Sequence, residues 1–355
     1  MVSNQDPEGR SDLMPAGSTE LAPLRIRQGR ILSGRERARL GLDFVRWCAA
    51  TRSGRGLKRT SLRQPRPRFL WPLLEPEPRT YLRILSRSWR IVWIASVSKS
   101  GNTWLRYLLF NSLFGVANRA GMPEETIPHW ASLLDAVSRR TARATPAGNC
   151  LLLKTHTGPQ PVDTGLMHFL QPLTAGAIYL YRNPVDVCLS QIRHMRLVGK
   201  YPRATDRELA FHFLESRLFP AEGHWFEHVT AWQRVTAFPV LFVRYEELKR
   251  STAAVLRQIL TFLGESVSTD RLDQAIAQSD LRTMRALEDA QGTGLGYRTA
   301  RGDSTARFVN GGRSGQSVAQ FGSDFVRAFD RRYGDAMVKL GYERPLTAAA
   351  RLASS

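Results

Sequence analysis

Lys99, His156 and Arg182 each stand at or just past the end of a short apolar run, and each is a residue type that handles anions or protons. Lys99 belongs to the stretch Ser98-Lys99-Ser100-Gly101-Asn102-Thr103, which leads into the apolar helical segment Trp104–Val116. A strand, a polar glycine-containing loop and a helix in that order make an anion site, because loop amides and first-turn N–H groups point one way and the helix dipole favours negative charge there. Lys99 adds a mobile cation, and Ser100 and Thr103 add hydroxyl donors. The GxxxxGK[ST] template of nucleoside triphosphatases is not matched, since here the lysine precedes the glycine. The plainer alternative is an ordinary strand-to-helix turn with a stray lysine.

Lys154-Thr155-His156 follows Leu151-Leu152-Leu153, so these residues sit where a second buried strand emerges. In open parallel sheets ligands bind beyond the carboxyl ends of the strands, which puts His156 in one crevice with Lys99. A structural histidine is the alternative. A third strand, Ala177–Leu180, ends at Arg182, and Asn183-Pro184 then opens a helix with proline near its first position. Ser190 lies two turns into that helix, so Arg182 and Ser190 can hold one phosphate between them through charge-assisted hydrogen bonds. The competing reading pairs Arg182 with Asp186.

The elements that must position these groups are those of a parallel sheet. Ile91–Val97 is an uncharged, β-branched and aromatic run of the kind buried on both faces. Val240–Val243 reads as a fourth strand ending in Arg244-Tyr245-Glu246. Phe325, Phe329, Tyr333, Met337 and Leu340 form a helical core stripe that stops at Gly341. The 355 residues, 43% hydrophobic and 23% charged, suffice for one large α/β domain or two modest ones. Cys48, Cys150 and Cys188 are odd in number and far apart, which fits neither a disulfide framework nor a zinc site. Four acids in the first 20 residues and the lack of a long apolar run argue against a signal peptide or a spanning helix. A soluble cytoplasmic protein is the expectation.

Charge is unevenly distributed. The chain carries 51 Lys+Arg against 31 Asp+Glu, a formal net of +20, and 14 of the cations lie between Arg25 and Arg68. Such a block suits an anionic membrane surface or nucleic acid, although few aromatic residues are interleaved to stack on bases. Within it Leu40, Phe44, Trp47 and Cys48 fall at helical spacing beside Arg37, Arg39 and Arg46. That amphipathic helix either docks on the main domain or lies on a membrane. Residues 1–88 therefore read as a basic, partly irregular extension, 89–345 as the main domain and 346–355 as a tail.

Taken together the motifs resemble the cytosolic-type sulfotransferases that use 3′-phosphoadenosine 5′-phosphosulfate (PAPS). Ser98-Lys99-Ser100-Gly101-Asn102-Thr103-Trp104 is similar to that family's P-K-S-G-T-T-W, Lys154-Thr155-His156 to its K-T-H, Arg182-Asn183-Pro184 through Ser190 to its R-N-P…S, and Arg244-Tyr245-Glu246 to its Y-E-D. The resemblance covers about 89–345 and implies a three-layer α/β fold with a parallel central sheet of P-loop type. It implies transfer of a sulfuryl group to a hydroxyl or amine, with His156 as general base, help worth roughly 10²–10⁴-fold. Lys99 would stabilise the leaving phosphate oxygen and Lys154 the sulfuryl oxygens. Ser100, Gly101, Asn102, Thr103 and Trp104 would line the donor site, Arg182 and Ser190 would hold the 3′-phosphate, and Tyr245 would lie near the adenine. Adenosine 3′,5′-bisphosphate would be the product, and no metal is called for. Glu124 or Glu125 would be next in line as base.

The departures are specific. Ser98 replaces the proline and Asn102 the first threonine. The late R-K-x-G element becomes Val309-Asn310-Gly311-Gly312-Arg313, so aligning its glycine on Gly312 puts uncharged residues in place of both cations and Arg313 one residue late. Ser317 stands where a tryptophan is expected, and the family's dimer motif is not recognisable, leaving the oligomeric state open. Two other classes remain beside this reading: a phosphoryl-transfer enzyme or kinase on a related nucleotide fold, and a non-catalytic protein that binds an anionic surface or nucleic acid. The expected partners are a hydroxyl-bearing acceptor and an anionic membrane surface met through 25–68, without nucleic acid.

Overall fold

The computed structural model describes residues 32–52, 78–115, 123–159, 169–215, 223–291, 309 and 312–353. In chain order the helices are α1 (Gly34–Arg52), α2 (Pro78–Ser86), α3 (Asn102–Leu113), α4 (Pro123–Thr126), α5 (Leu133–Ser138), α6 (Pro184–Leu197), α7 (Asp206–Leu214), α8 (Trp225–Gln233), α9 (Tyr245–Arg250), α10 (Thr252–Leu263), α11 (Thr269–Gln278), α12 (Leu281–Gln291), α13 (Ser323–Lys339) and α14 (Pro345–Ala353). The strands are β1 (Arg90–Ala95), β2 (Cys150–Thr155), β3 (Thr174–Tyr181) and β4 (Val240–Arg244).

All four strands are parallel, in the order β2-β1-β3-β4. Their runs of Ile, Val, Leu and Ala lack the alternation of a one-sided sheet because both faces are covered. Ile91, Trp93 and Ala95 point into one apolar layer, with Phe325, Phe329 and Tyr333 of α13. Val92 and Ile94 point into the other, with Leu105, Leu108 and Leu109 of α3. This is the three-layer α/β architecture expected from the sequence. The chain leaves β1 for β2 on one side and returns to β3 on the other, which makes the carboxyl end of β1 a topological switch point, where such sheets open a crevice. The loop 96–101 sits there.

The first two helices are part of this core. Phe44 and Tyr81 are fully buried and Cys48 nearly so, in the layer that also holds Trp93. Phe44 lies 4.1 Å from the ring of Tyr81 and 4.9 Å, edge-on, from that of Phe169. Tyr81 Oη donates to the Phe169 carbonyl at 2.7 Å, and Arg37 donates to the Leu85 carbonyl at 2.9 Å. The membrane reading of the amphipathic helix is thereby corrected at Phe44 and Cys48: their face is turned inward, where lipid cannot reach it. The side chain of Trp47 and the basic residues 53–68 lie outside the described residues. The tail is helical through Ala353: α14 follows an Arg344–Asp330 ion pair, 3.1 Å, that ties its start to α13. No helix among the described residues is long and apolar enough to cross a membrane.

Candidate functional site

The strand ends deliver their residues to one cavity of about 490 Å³, lined by Lys99, Lys154, His156, Arg182 and Tyr245 from the ends of β1, β2, β3 and β4. Gly101, Asn102, Thr103 and Trp104 line it from the start of α3, Ser190 from α6, and Gly312 and Arg313 from the late loop. Ser100 is the exception. Its side chain is fully buried and is not part of the cavity wall, and its Oγ has no hydrogen-bond partner among the described residues.

The phosphate-type loop has a backbone that few sequences allow. Lys99 and Gly101 have φ of +70° and +99°, the left-handed region that disfavours side chains. At Gly101 the need is also steric, since a Cβ there would lie 2.5 Å from the ring of Tyr245. Asn102 anchors the loop to β1 by donating from Nδ2 to the Ile94 carbonyl at 3.1 Å and to Ser96 Oγ at 3.2 Å. Its Nδ2 is thus engaged with protein, while the residue still lines the cavity. Burial, with Arg182 and Arg193 nearby, brings the Lys99 ammonium down to about 8.

His156 is held in one tautomer. Its Nδ1 lies 2.8 Å from the Ser96 carbonyl, which can only accept, so Nδ1 carries the proton and Nε2 keeps its lone pair. Nε2 makes no hydrogen bond among the described residues, and the side chain faces the cavity. Burial foremost, and then the charge of Lys154, hold the imidazole well below its ordinary value and therefore neutral. Glu124 pairs with Arg106 at 3.3 Å and is absent from the cavity wall.

Arg182 ties the two loops together. It donates to the Lys99 carbonyl at 3.0 Å and to the Arg313 carbonyl, and its guanidinium lies 4.5 Å from the ring of Tyr245. Its Nε is buried with no partner among the described residues. Asp186 is not its mate: that buried carboxylate accepts from Gly315 N at 3.1 Å and from Gln316 N and Nε2 at 3.2 and 3.0 Å. The helix behind Arg182 starts where it does because Asn183 caps it through Val185 N at 2.9 Å, with Pro184 following. Across the cavity Trp104 and Tyr245 meet edge-on, 5.8 Å between centroids, and Trp104 Nε1 donates to the Ser279 carbonyl at 3.0 Å.

Sequence reasoning misses several wall residues. Arg193, His194 and Lys200 line the cavity from α6 and the turn after it, and Lys249 lines it from α9. Lys249 Nζ donates to the Gly312 carbonyl at 2.8 Å. Their signal is weak in sequence because a cation on an amphipathic helix reads as solvated surface. Asn310 and Gly311, just before the aligned Gly312, lie outside the described residues.

Behind the site, one face of α8 presents Trp225, His228 and Trp232, all buried. Trp225 donates to the Arg182 carbonyl at 3.2 Å, His228 to the His156 carbonyl at 3.2 Å and Trp232 to the Thr157 carbonyl at 3.3 Å. This row braces two strand ends and looks in sequence like a plain core stripe.

A family model described as a sulfotransferase domain matches residues 90–341. Among curated proteins, sulfotransferase 4A1 of Mus musculus is 26% identical over 192 residues, covering 52% of this chain and 63% of that protein. The chain thus spans slightly less than two thirds of that relative's length. Among solved structures, mouse sulfotransferase SULT7A1 complexed with PAP aligns with a TM-score of 0.50 at 20% identity, covering 70% of this chain and 86% of that one. Retinol dehydratase in complex with androsterone and inactive cofactor PAP aligns with a TM-score of 0.53 at 19% identity, covering 70% and 80%. These two likenesses establish a shared fold.

Proposed function

The chain belongs to the sulfotransferase domain family, and from that premise we propose that it transfers a sulfuryl group from PAPS to a hydroxyl of an acceptor molecule. The observation that carries this reading is the convergence of Lys99, Lys154, His156 and Arg182 on one cavity at the switch point of the sheet. A nucleotide with two phosphate groups suits the wall chemically. The buried, unpartnered Nε of Arg182 wants an acceptor, and Trp104 and Tyr245 offer ring surfaces for a base.

His156 Nε2 takes the proton of the attacking hydroxyl as the acceptor oxygen bonds to sulfur. The bridging sulfur–oxygen bond breaks, and adenosine 3′,5′-bisphosphate leaves. Lys99 meets the charge that develops on the leaving phosphate oxygen, and Lys154 meets the sulfuryl oxygens. Such fixed charges in a water-poor site act by preorganisation. Arg182 and Ser190 grip the 3′-phosphate, which positions the donor and takes no part in the chemistry. The working unit extends beyond 89–345, because α1 and α2 contribute to its core.

Thermal stabilisation separates this reading from the two alternatives. Adenosine 3′,5′-bisphosphate should raise the melting temperature, and ATP with Mg²⁺ or duplex DNA should not. Stabilisation by ATP with Mg²⁺ alone would turn the assignment toward phosphoryl transfer. With labelled donor, a screen of alcohols, phenols, sugars and peptides then identifies the acceptor.

A further inference from the structure

The motif-bearing cations do not complete the phosphate end of the cavity. Both cations expected from the late loop are replaced by uncharged residues in this sequence, and Arg313, one residue late, is exposed and offers its carbonyl to Arg182. Arg193 stands beside this gap. It sits on α6 three residues after Ser190, so one helical turn puts both on the same face, and both line the cavity.

Its side chain is held from the late loop. Arg193 Nη1 donates to Gln316 Oε1 at 3.3 Å, and Gln316 is fixed by its bonds to the buried Asp186 on the first turn of the same helix. Burial foremost, and then the charges of Arg182 and Arg313, lower the guanidinium's affinity for a proton, with Asp186 opposing them. Asp186 accepts three N–H groups from Gly315 and Gln316, and its single negative charge is set against three arginines. Cations gathered this way around a cavity make a site for a multiply charged anion.

We propose that Arg193 is a phosphate-binding residue, supplying to the donor's 3′-phosphate the cation that the late loop lacks. This rests on the donor reading given above. Arg182 and Ser190 then meet the phosphate from the end of β3 and from α6, and Arg193 closes it from one turn further along. Gln316 acts as a positioning residue that keeps Arg193 turned toward the cavity.

Calorimetric titration of the full chain with adenosine 3′,5′-bisphosphate and with adenosine 5′-monophosphate isolates the 3′-phosphate. Wild type should prefer the bisphosphate. Arg193→Gln should lose about 10- to 100-fold in affinity for the bisphosphate, the range of one charge-assisted contact, while the monophosphate affinity stays within about twofold. Arg193→Lys should fall between, because it keeps the charge and loses the fork. Gln316→Ala should weaken the bisphosphate alone, which provides the measurement if Arg193→Gln does not fold. An equal loss on both ligands, no loss on either, or an effect confined to the KM of the acceptor overturns the proposal. A wild-type chain that does not distinguish the two nucleotides overturns the donor reading, and this one with it. A preference that survives in Arg193→Gln overturns this one alone.

Discussion

His228 Nε2 donates to the main-chain carbonyl of His156 at 3.2 Å, while its Nδ1 accepts from the hydroxyl of Tyr179 at 2.8 Å. A carbonyl only accepts, so this buried ring has one possible tautomer and both its nitrogens are used. Burial keeps it neutral, its pKa brought down to about 4. The end of β2 is therefore fixed from behind by a neutral donor, and the side chain of His156 projects from a carbonyl that cannot rotate freely.

His228→Ala should leave the Tyr179 hydroxyl and the His156 carbonyl unpaired inside the protein, costing about 1–3 kcal/mol of stability. Acting through His156, it should also lower kcat while affinity for adenosine 3′,5′-bisphosphate holds. His228→Gln keeps a donor near the position of Nε2, on a more flexible stem, and should restore part of kcat. Parallel kcat and donor-affinity measurements decide the matter: a stability loss with unchanged kcat would make His228 a core residue only.

Gly101→Ala should cost more than another glycine of the same backbone class. The left-handed conformation alone costs about 1–2 kcal/mol for a residue with a side chain. That is the whole expected effect at Gly264, where φ is +73° and nothing lies within 4 Å of a Cβ. At Gly101 the new methyl meets Tyr245 at 2.5 Å and must displace it, so nucleotide binding should fall together with stability. Denaturant titrations of the two variants, with bisphosphate binding for each, check the difference. Equal stability losses would mean that the Tyr245 contact does not matter.

The strand-end residues are legible in sequence because a parallel strand is an uninterrupted apolar run, and the next polar residue marks its mouth. Lys99, His156 and Arg182 follow from that rule alone. Asn102 and Ser100 show its limit: loop residues of donor type turn toward β1 or the interior as readily as toward a ligand, and only the backbone decides. Arg193 and the Trp225-His228-Trp232 row are invisible for a different reason, since their partners lie more than 40 residues away in sequence. The α1 helix is ambiguous by its nature, because an apolar stripe fits lipid and protein equally well until Tyr81 and Phe169 are seen beneath Phe44.

Phe44→Ala should destabilise the protein by about 3–5 kcal/mol, the cost of removing a fully buried ring. Leu42→Ala, on the exposed side of α1 at 59% accessibility, should stay within about 0.5 kcal/mol. Removal of residues 1–85 should leave an aggregating protein, because it strips Phe44, Tyr81 and Ile84 from the layer that covers the sheet. Denaturant midpoints for the two point variants test the docking. A neutral Phe44→Ala would return the helix to the surface.

The pH dependence follows from Lys99 and His156 with opposite signs. Lys99 must be protonated to attract the donor, and in the free protein burial and neighbouring arginines bring it to about 8. Below that pH the charge is present, and as pH rises through it the charge is lost. Affinity for adenosine 3′,5′-bisphosphate, and kcat/KM for PAPS, should therefore fall above about pH 8, since kcat/KM reports groups of the free enzyme. Lys99→Arg, which stays charged, should remove this alkaline limb. His156 must be unprotonated to act as base, and its buried ring is held well below the ordinary histidine value. It is already neutral at pH 7, so lowering the pH toward about 6 should not reduce the rate through this group. An acid limb centred near the ordinary histidine value that disappears in His156→Ala would show that the ring is solvated in the working enzyme. An alkaline limb that persists unchanged in Lys99→Arg would assign that titration to another group and remove Lys99 from the donor site.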